Sequence, residues 1–220
     1  MGLTRLAEPT AEPLTVAEAK KQCNRDNDFT DDDDLFEALI AAARDYAESQ
    51  TERSLMRQTW YQTLDAFPGP SLMGTPSGRA YSMPGHAIVL ERPPVLSITK
   101  IEYVDMGGVQ QTMPSTDYVD PTQGGTVRFD QIARITPVFG KIWPIPLPQI
   151  ESVRVTYIAG YSNTASDASK VPPGIKAWMR LRIATLYENR EEVVVGTRIT
   201  VSPLPYIDSL LDPYRIRRAS

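Results

Sequence analysis

The hydrophobic pattern of this chain changes period twice, and that change limits the possible folds more than any single motif does. Leu35, Phe36, Leu39, Ile40, Ala43, Tyr46 and Ala47 recur at the spacing of one helix face. From residue 60 the period drops to two: Trp60, Gln62 and Leu64 alternate with Tyr61, Thr63 and Asp65, as on a half-buried strand. After Val171-Pro-Pro-Gly174 the helical spacing returns in Ile175, Trp178, Met179, Arg182, Ile183 and Leu186. Helix, strand block, helix is the order of an α+β chain. The simplest architecture is a small helical bundle, discontinuous in sequence, with an inserted, mainly antiparallel β domain. The expected division is 1–56 for the first helical part, 57–160 for the β domain, 161–198 for the second helical part and 199–220 for an extended C-terminal arm.

Local signals fill in this plan. Residues 1–14, with Pro9 and Pro13, read as an extended lead-in. Thr15-Val-Ala-Glu18 is a capping box: the Thr hydroxyl accepts from the Glu18 amide, and the Glu18 carboxylate reaches back to the Thr15 amide. A short helix is expected from there to about Asn24, and a longer one from Thr30 or Asp31 to about Arg53. The third should end near Asn189 or Arg190. His86–Glu91, Val95–Val104, Thr126–Asp130 and Glu151–Ile158 are strand candidates, and Gly107-Gly108 and Gly124-Gly125 sit where hairpin turns would. Residues 68–85, rich in Gly, Pro, Ser and Met, read as a long loop. Trp143-Pro-Ile-Pro-Leu-Pro148 must be extended, with its backbone partly outside any ladder.

At 220 residues and 41% hydrophobic, the chain can bury a real core. Its net charge of −4 argues against gripping nucleic acid through phosphates, though not against surrounding DNA without holding it. The single Cys23 excludes an internal disulfide framework and a cysteine-only zinc site. No apolar run approaches the ~20 residues of a membrane span. The first residues lack the apolar core of a signal peptide, so the chain is expected to work in cytoplasm or in a particle assembled there.

The most conspicuous charge run is Asp31-Asp-Asp-Asp34. Carboxylates in a first turn favour the positive end of the helix dipole, and the same residues could form an acidic patch at an assembly surface or channel wall. Asp26, Asp28, Thr30 and Glu37 also fall at positions 1, 3, 5 and 12 of a calcium loop, but Asp31 stands where the loop needs Gly and Asp33 where it needs an apolar residue. Enzyme signatures are largely missing. The one histidine, His86, borders a loop, no Gly-x-Ser-x-Gly elbow exists, and Gly140-Lys141 lacks the preceding glycine and following hydroxyl of a phosphate loop. No catalytic, cofactor-binding or metal-ligating residue is therefore expected. Arg180, Arg182, Arg190 and Arg198 read as a solvated face, and Trp60, Trp143 and Trp178 as core anchors.

The C-terminus is unlike an ordinary loose tail. It carries Leu204, Tyr206, Ile207, Leu210, Leu211, Tyr214 and Ile216, closed by Arg215, Arg217 and Arg218. Pro203, Pro205 and Pro213 limit it to about one helical turn between extended pieces. Such a segment must fold back on its own domain or dock on a partner. The arginine cluster suits an acidic protein surface better than phosphate, given how little positive charge lies elsewhere.

Several stretches together resemble the head–tail connector (adaptor, or head-completion) proteins of long-tailed bacteriophages and related gene-transfer particles. They are Glu12-Pro-Leu-Thr-Val-Ala-Glu-Ala-Lys20, Asp32-Asp-Asp-Leu-Phe-Glu-Ala-Leu-Ile-Ala-Ala-Ala-Arg44, Leu90-Glu-Arg-Pro-Pro-Val95, Val155-Thr-Tyr-Ile-Ala-Gly-Tyr161, Val171-Pro-Pro-Gly-Ile-Lys176 and Leu210-Leu-Asp-Pro-Tyr-Arg215. The resemblance implies a non-enzymatic virion protein at the head–tail junction. About twelve copies would form a ring under the portal protein, extend the DNA channel and present a surface to a stopper or tail-completion protein. The free chain could be monomeric, DNA would pass without specific binding, and no membrane is involved. Carried onto this chain, the arm from about Ile199 to Arg218 is the portal contact. Its apolar anchors are Leu204, Tyr206, Ile207, Leu210, Leu211 and Tyr214, and its charged rim is Arg215, Arg217 and Arg218. Asp31, Asp32, Asp33 and Asp34 would give the channel its acidic surface. The arm is expected to order only on docking, so that removing residues 203–220 leaves a folded protein. The other reading of the residues is a β-domain binding module for carbohydrate or calcium; a hydrolase using His86 or a carboxylate pair is a third.

Overall fold

A computed structural model describes residues 2–69, 87–122, 132–189 and 208–216. The elements in order are β1 (Gly2–Ala7), α1 (Val16–Gln22), α2 (Asp33–Thr51), β2 (Gln58–Leu64), β3 (Ile88–Val89), β4 (Val95–Val104), β5 (Gln110–Thr112), β6 (Tyr118–Val119), β7 (Arg134–Pro137), β8 (Val153–Ala159) and α3 (Pro173–Glu188). Two 3-10 turns follow, at Asp208–Leu210 and Asp212–Tyr214. The architecture is α+β, as the change of period implies. Among the described residues, no helix is long and apolar enough to cross a membrane.

The helices start and stop for local reasons. The Thr15 amide donates to Glu18 Oε2 at 3.0 Å and the Glu18 amide to Thr15 Oγ1 at 3.2 Å, closing the capping box on α1. Burial alone would raise the Glu18 carboxyl, but the Thr15 amide and the Arg180 guanidinium outweigh it and hold the pKa below the usual value. Pro172 and Pro173 open α3, where a missing amide costs nothing. The long helix begins at Asp33, a turn's start later than expected, because Thr30 to Asp32 are spent in a turn.

All sheet pairing is antiparallel. The larger sheet has the order β1-β2-β8-β4-β5 and the smaller one β3-β7-β6. Val95–Val104 is found as read from the sequence, and β8 begins two residues after the expected start. Two features differ from expectation. Residues 2–7 are not merely a lead-in: β1 pairs with β2 from Gly2 opposite Thr63 to Ala7 opposite Thr59. The expected helical part over 1–56 therefore begins only after this strand. Further, β5, β6 and β7 are strands of two to four residues, too short to show a period. The candidates at Gly124-Gly125 and Thr126–Asp130 lie outside the described residues.

Two cores result. Phe36, Ile40, Leu55, Met56, Ile175, Trp178 and Met179 pack between the helices. Trp60, Ile88, Leu90, Ile101, Ile135, Val155 and Tyr157 fill the space between the sheets. The chain passes between them at Leu55–Gln58 and at Ala159–Tyr161. Gly160 is required at the second crossing: at φ +144°, a Cβ there would lie 2.6 Å from the Met56 carbonyl oxygen.

A buried carboxylate ties these layers together. Glu48 Oε1 accepts from the Leu55 amide at 2.8 Å and from Gln58 Nε2 at 2.6 Å. Its second oxygen faces Arg44 at 3.5 Å and Arg5 at 3.8 Å. Helix α2, strands β1 and β2 and the first crossing thus meet at one side chain.

Candidate functional site

The described part of the C-terminal segment lies on the helical core. Leu211 is 0% exposed and belongs to that core, with Tyr214 packed beside it. Trp178 Nε1 donates to Asp208 Oδ1 at 3.0 Å. Arg53 Nε donates to the Tyr214 carbonyl at 2.5 Å, and the Ile216 amide donates to the Thr51 carbonyl at 3.3 Å. Tyr214 covers the first turn of α3 so closely that a Cβ on Gly174 would sit 2.9 Å from its hydroxyl. Tyr161 lies by the same arginine; burial pushes its phenol up, and Arg53 opposes this in part.

The expected arm therefore divides. Leu211 and Tyr214 find their apolar partners within the chain, because a 3-10 turn presents them to the groove beside α3. Leu210 is exposed, and so is Arg215, which pairs with Asp212 at 3.2 Å and reaches Gln50 at 3.3 Å. Leu204, Tyr206, Ile207, Arg217 and Arg218 lie outside the described residues. The expectation that the whole arm orders only on docking is corrected for residues 208–216: removing them would open the core at Leu211.

The acidic run is also divided. Asp32 Oδ2 accepts from the Tyr187 hydroxyl at 2.6 Å, which fixes the start of α2 to the last turn of α3. Asp33 forms an ion pair with the buried Lys20 of α1. Only Asp31 and Asp34 are exposed. The run thus joins three helices, in addition to placing negative charge at a helix start. Tyr187→Phe is expected to cost about 1.5–3 kcal/mol, a hydrogen bond to a charged acceptor, in a urea unfolding titration. No measurable change would mean that water replaces the phenol.

Among the described residues, no group of three or more His, Cys, Asp or Glu could hold a metal ion. Asp26, Asp28, Thr30 and Glu37 are not brought together as one, and His86 lies outside the described residues. Sequence reasoning missed the Glu48 hub, since a glutamate on a helix gives no local sign that tertiary folding will bury it. It also missed the exposure of the Val138–Ile150 connection, although the alternation of Ile and Pro there was a readable signal.

Residues 13–75 match the family model described as phage gp6-like head-tail connector protein. No curated protein sequence matches the chain. Solved structures with the same fold include one titled as the neck of an empty gene transfer agent particle computed with C6 symmetry, at 21% identity and a TM-score of 0.71. Another is titled as the virion of a native gene transfer agent particle, at 20% and 0.72. A third is the neck of a native particle computed with C12 symmetry, at 20% and 0.66. In all three the match covers 100% of this chain and 98% of the other. Residues 13–75 are thus similar to phage gp6-like head-tail connector proteins, and the fold is shared along the whole chain with chains of gene transfer agent particles.

Proposed function

We propose that this protein is a structural adaptor of a phage-like particle, joining the filled head to the tail. The observation that carries this reading is the end-to-end likeness to chains of gene transfer agent particles, together with the connector match over residues 13–75. About twelve copies form a ring under the portal, line the DNA path and give the tail-side protein its attachment surface. The net charge of −4 fits a channel through which DNA slides, since fixed phosphate contacts would hold it. No chemistry is required of such a protein. Its work is done by shape, by exposed apolar side chains and by charge.

Within this reading, the outer face of the C-terminal segment meets the portal. Leu210 and Arg215 are its described contacts, Leu204, Tyr206, Ile207, Arg217 and Arg218 extend it, and Leu211 and Tyr214 hold it to the bundle. Light scattering with the purified chain and its portal protein tests this. The chain alone is expected to be small, and about one copy should join each portal subunit. The double variant Leu210→Asp, Arg215→Glu should fold normally and bind portal at least about tenfold more weakly. A wild-type chain that ignores the portal would overturn the reading and turn attention to the β domain as a binding module.

A further inference from the structure

Half of the exposed large apolar side chains among the described residues lie at one end of the β domain. Phe139 is fully exposed, Ile142 88%, Ile150 83%, Ile145 77%, Met106 63% and Val109 56%. The first four belong to the connection between β7 and β8, and the other two to the β4–β5 hairpin. The two loops are neighbours: the Leu147 amide donates to the Val104 carbonyl at 2.8 Å, and the Val104 amide to the Ser152 carbonyl at 2.9 Å.

This surface is held in shape. Trp143 is buried and stacks on Phe67 at 4.9 Å, fixing the connection at its middle. Pro144, Pro146 and Pro148 restrict the backbone between the exposed isoleucines. Lys141 is tied to Asp117. The backbone under the exposed side chains is therefore held, which lowers the ordering cost on binding. A cluster of this size on a folded surface marks an interaction site.

Its position and charge select the occupant. The ten residues of β4 put about 30 Å between this tip and the start of the strand. Ile216 of the C-terminal segment lies at that start, beside Leu90, Arg92 and Pro93. The tip is thus remote from the surface assigned to the portal. Asp65, Asp105, Asp117 and Glu151 border it; Lys141 is paired with Asp117, and Arg154 lies near Glu151, so carboxylates outnumber cations at this end. Two copies meeting tip to tip would bring these carboxylates together, which disfavours self-association there.

We propose that this tip is the tail-facing contact of the adaptor, and that it docks on a different neck protein whose apolar face is bordered by lysine or arginine. The assignment of the tail side rests on the portal reading of the C-terminal segment; the surface itself does not. The test uses the full chain with two purified proteins of the same particle, the portal and the tail-side neck protein. The triple variant Phe139→Ser, Ile142→Ser, Ile145→Ser is expected to keep the wild-type mass and portal binding. Its affinity for the tail-side protein should fall by about tenfold or more, and wild-type binding should weaken as salt rises. Unchanged tail-side affinity overturns the proposal. So does a triple variant whose own mass drops or whose portal binding is lost, because the tip would then serve copies of this chain or the portal. Should the triple variant fail to melt cooperatively, the single variant Ile145→Asp decides by the same readings. Wild-type chain that binds the tail-side protein but ignores the portal would sink the portal reading and leave the tip contact standing; the reverse result would sink the tip contact alone.

Discussion

Replacing Glu48 by alanine is expected to destabilise the fold by about 3–5 kcal/mol, measured by urea unfolding. The change removes the acceptor of two donors, the Leu55 amide and Gln58 Nε2. Leu55, Gln58 and Glu48 are all buried, so neither donor has water to turn to. Arg44 keeps Glu12 at 2.8 Å and Asp45 at 2.8 Å, which limits the electrostatic loss. The isosteric Glu48→Gln retains one carbonyl oxygen for the two donors and should cost less than half as much. A loss under about 1 kcal/mol for the alanine variant would show that the hub contributes little beyond its own desolvation.

The same side chain makes a pH prediction with an unusual sign. Burial raises the Glu48 carboxyl above its ordinary value, against the opposing pull of the Leu55 amide, Arg44 and Gln58. The folded state then binds this proton more tightly than the unfolded chain does. Glu48's contribution is complete below the unfolded carboxylate range and is lost as pH rises through the raised folded value. Asp105, Asp117 and Asp167 run the other way, because hydrogen bonds from Gln111, Lys141 and Ser169 respectively hold them low. The total curve mixes both signs. The difference between wild type and Glu48→Gln isolates the hub, and it should fall as pH increases from the acid side; a difference that rises would reverse the assignment.

Trp178→Ala is expected to cost about 3–5 kcal/mol, the usual range for emptying a buried tryptophan site. Trp178 is 1% exposed, stacks on Tyr46 at 5.4 Å and donates to Asp208. Its removal has a second consequence. The groove that receives Leu211 loses one wall, so proteolysis should cut the C-terminal segment faster than in wild type. Trp178→Phe keeps most of the apolar volume and loses the hydrogen bond, at about 1–2 kcal/mol. Comparable losses from both variants would mean that the indole N–H, and not packing, holds the segment. An unchanged cutting rate in Trp178→Ala would show that Leu211 and Tyr214 suffice.

How much of this was legible depends on the range of the cause. The capping box at Thr15 and the proline start of α3 involve residues one turn apart, so the sequence shows them whole. The long β4 was legible because Val95–Val104 is rich in β-branched and aromatic residues and is bounded by Arg92-Pro-Pro94 and Gly107-Gly108. β1 was not: its edge position depends on β2 arriving beside it, and only one edge of it is paired. The aspartate run read as a helix start, but the local pattern gave no hint that Asp32 would hold Tyr187 of α3, 155 residues away. The C-terminal segment was recognised as a docking element from its apolar content, yet its division into inward Leu211 and outward Leu210 follows from a 3-10 turn and a groove formed by other elements.

The sequence by itself determined the α+β class, the order of the long elements, the cap of α1, the proline start of α3 and the connector resemblance, because these rest on hydrophobic period, capping chemistry and short motifs encoded within a few residues. Only the tertiary structure decided which carboxylates are buried, which face of the C-terminal segment is free and where exposed isoleucines gather. Those properties depend on what is packed against a side chain, and burial sets both the cost of a charge and the value of an apolar group.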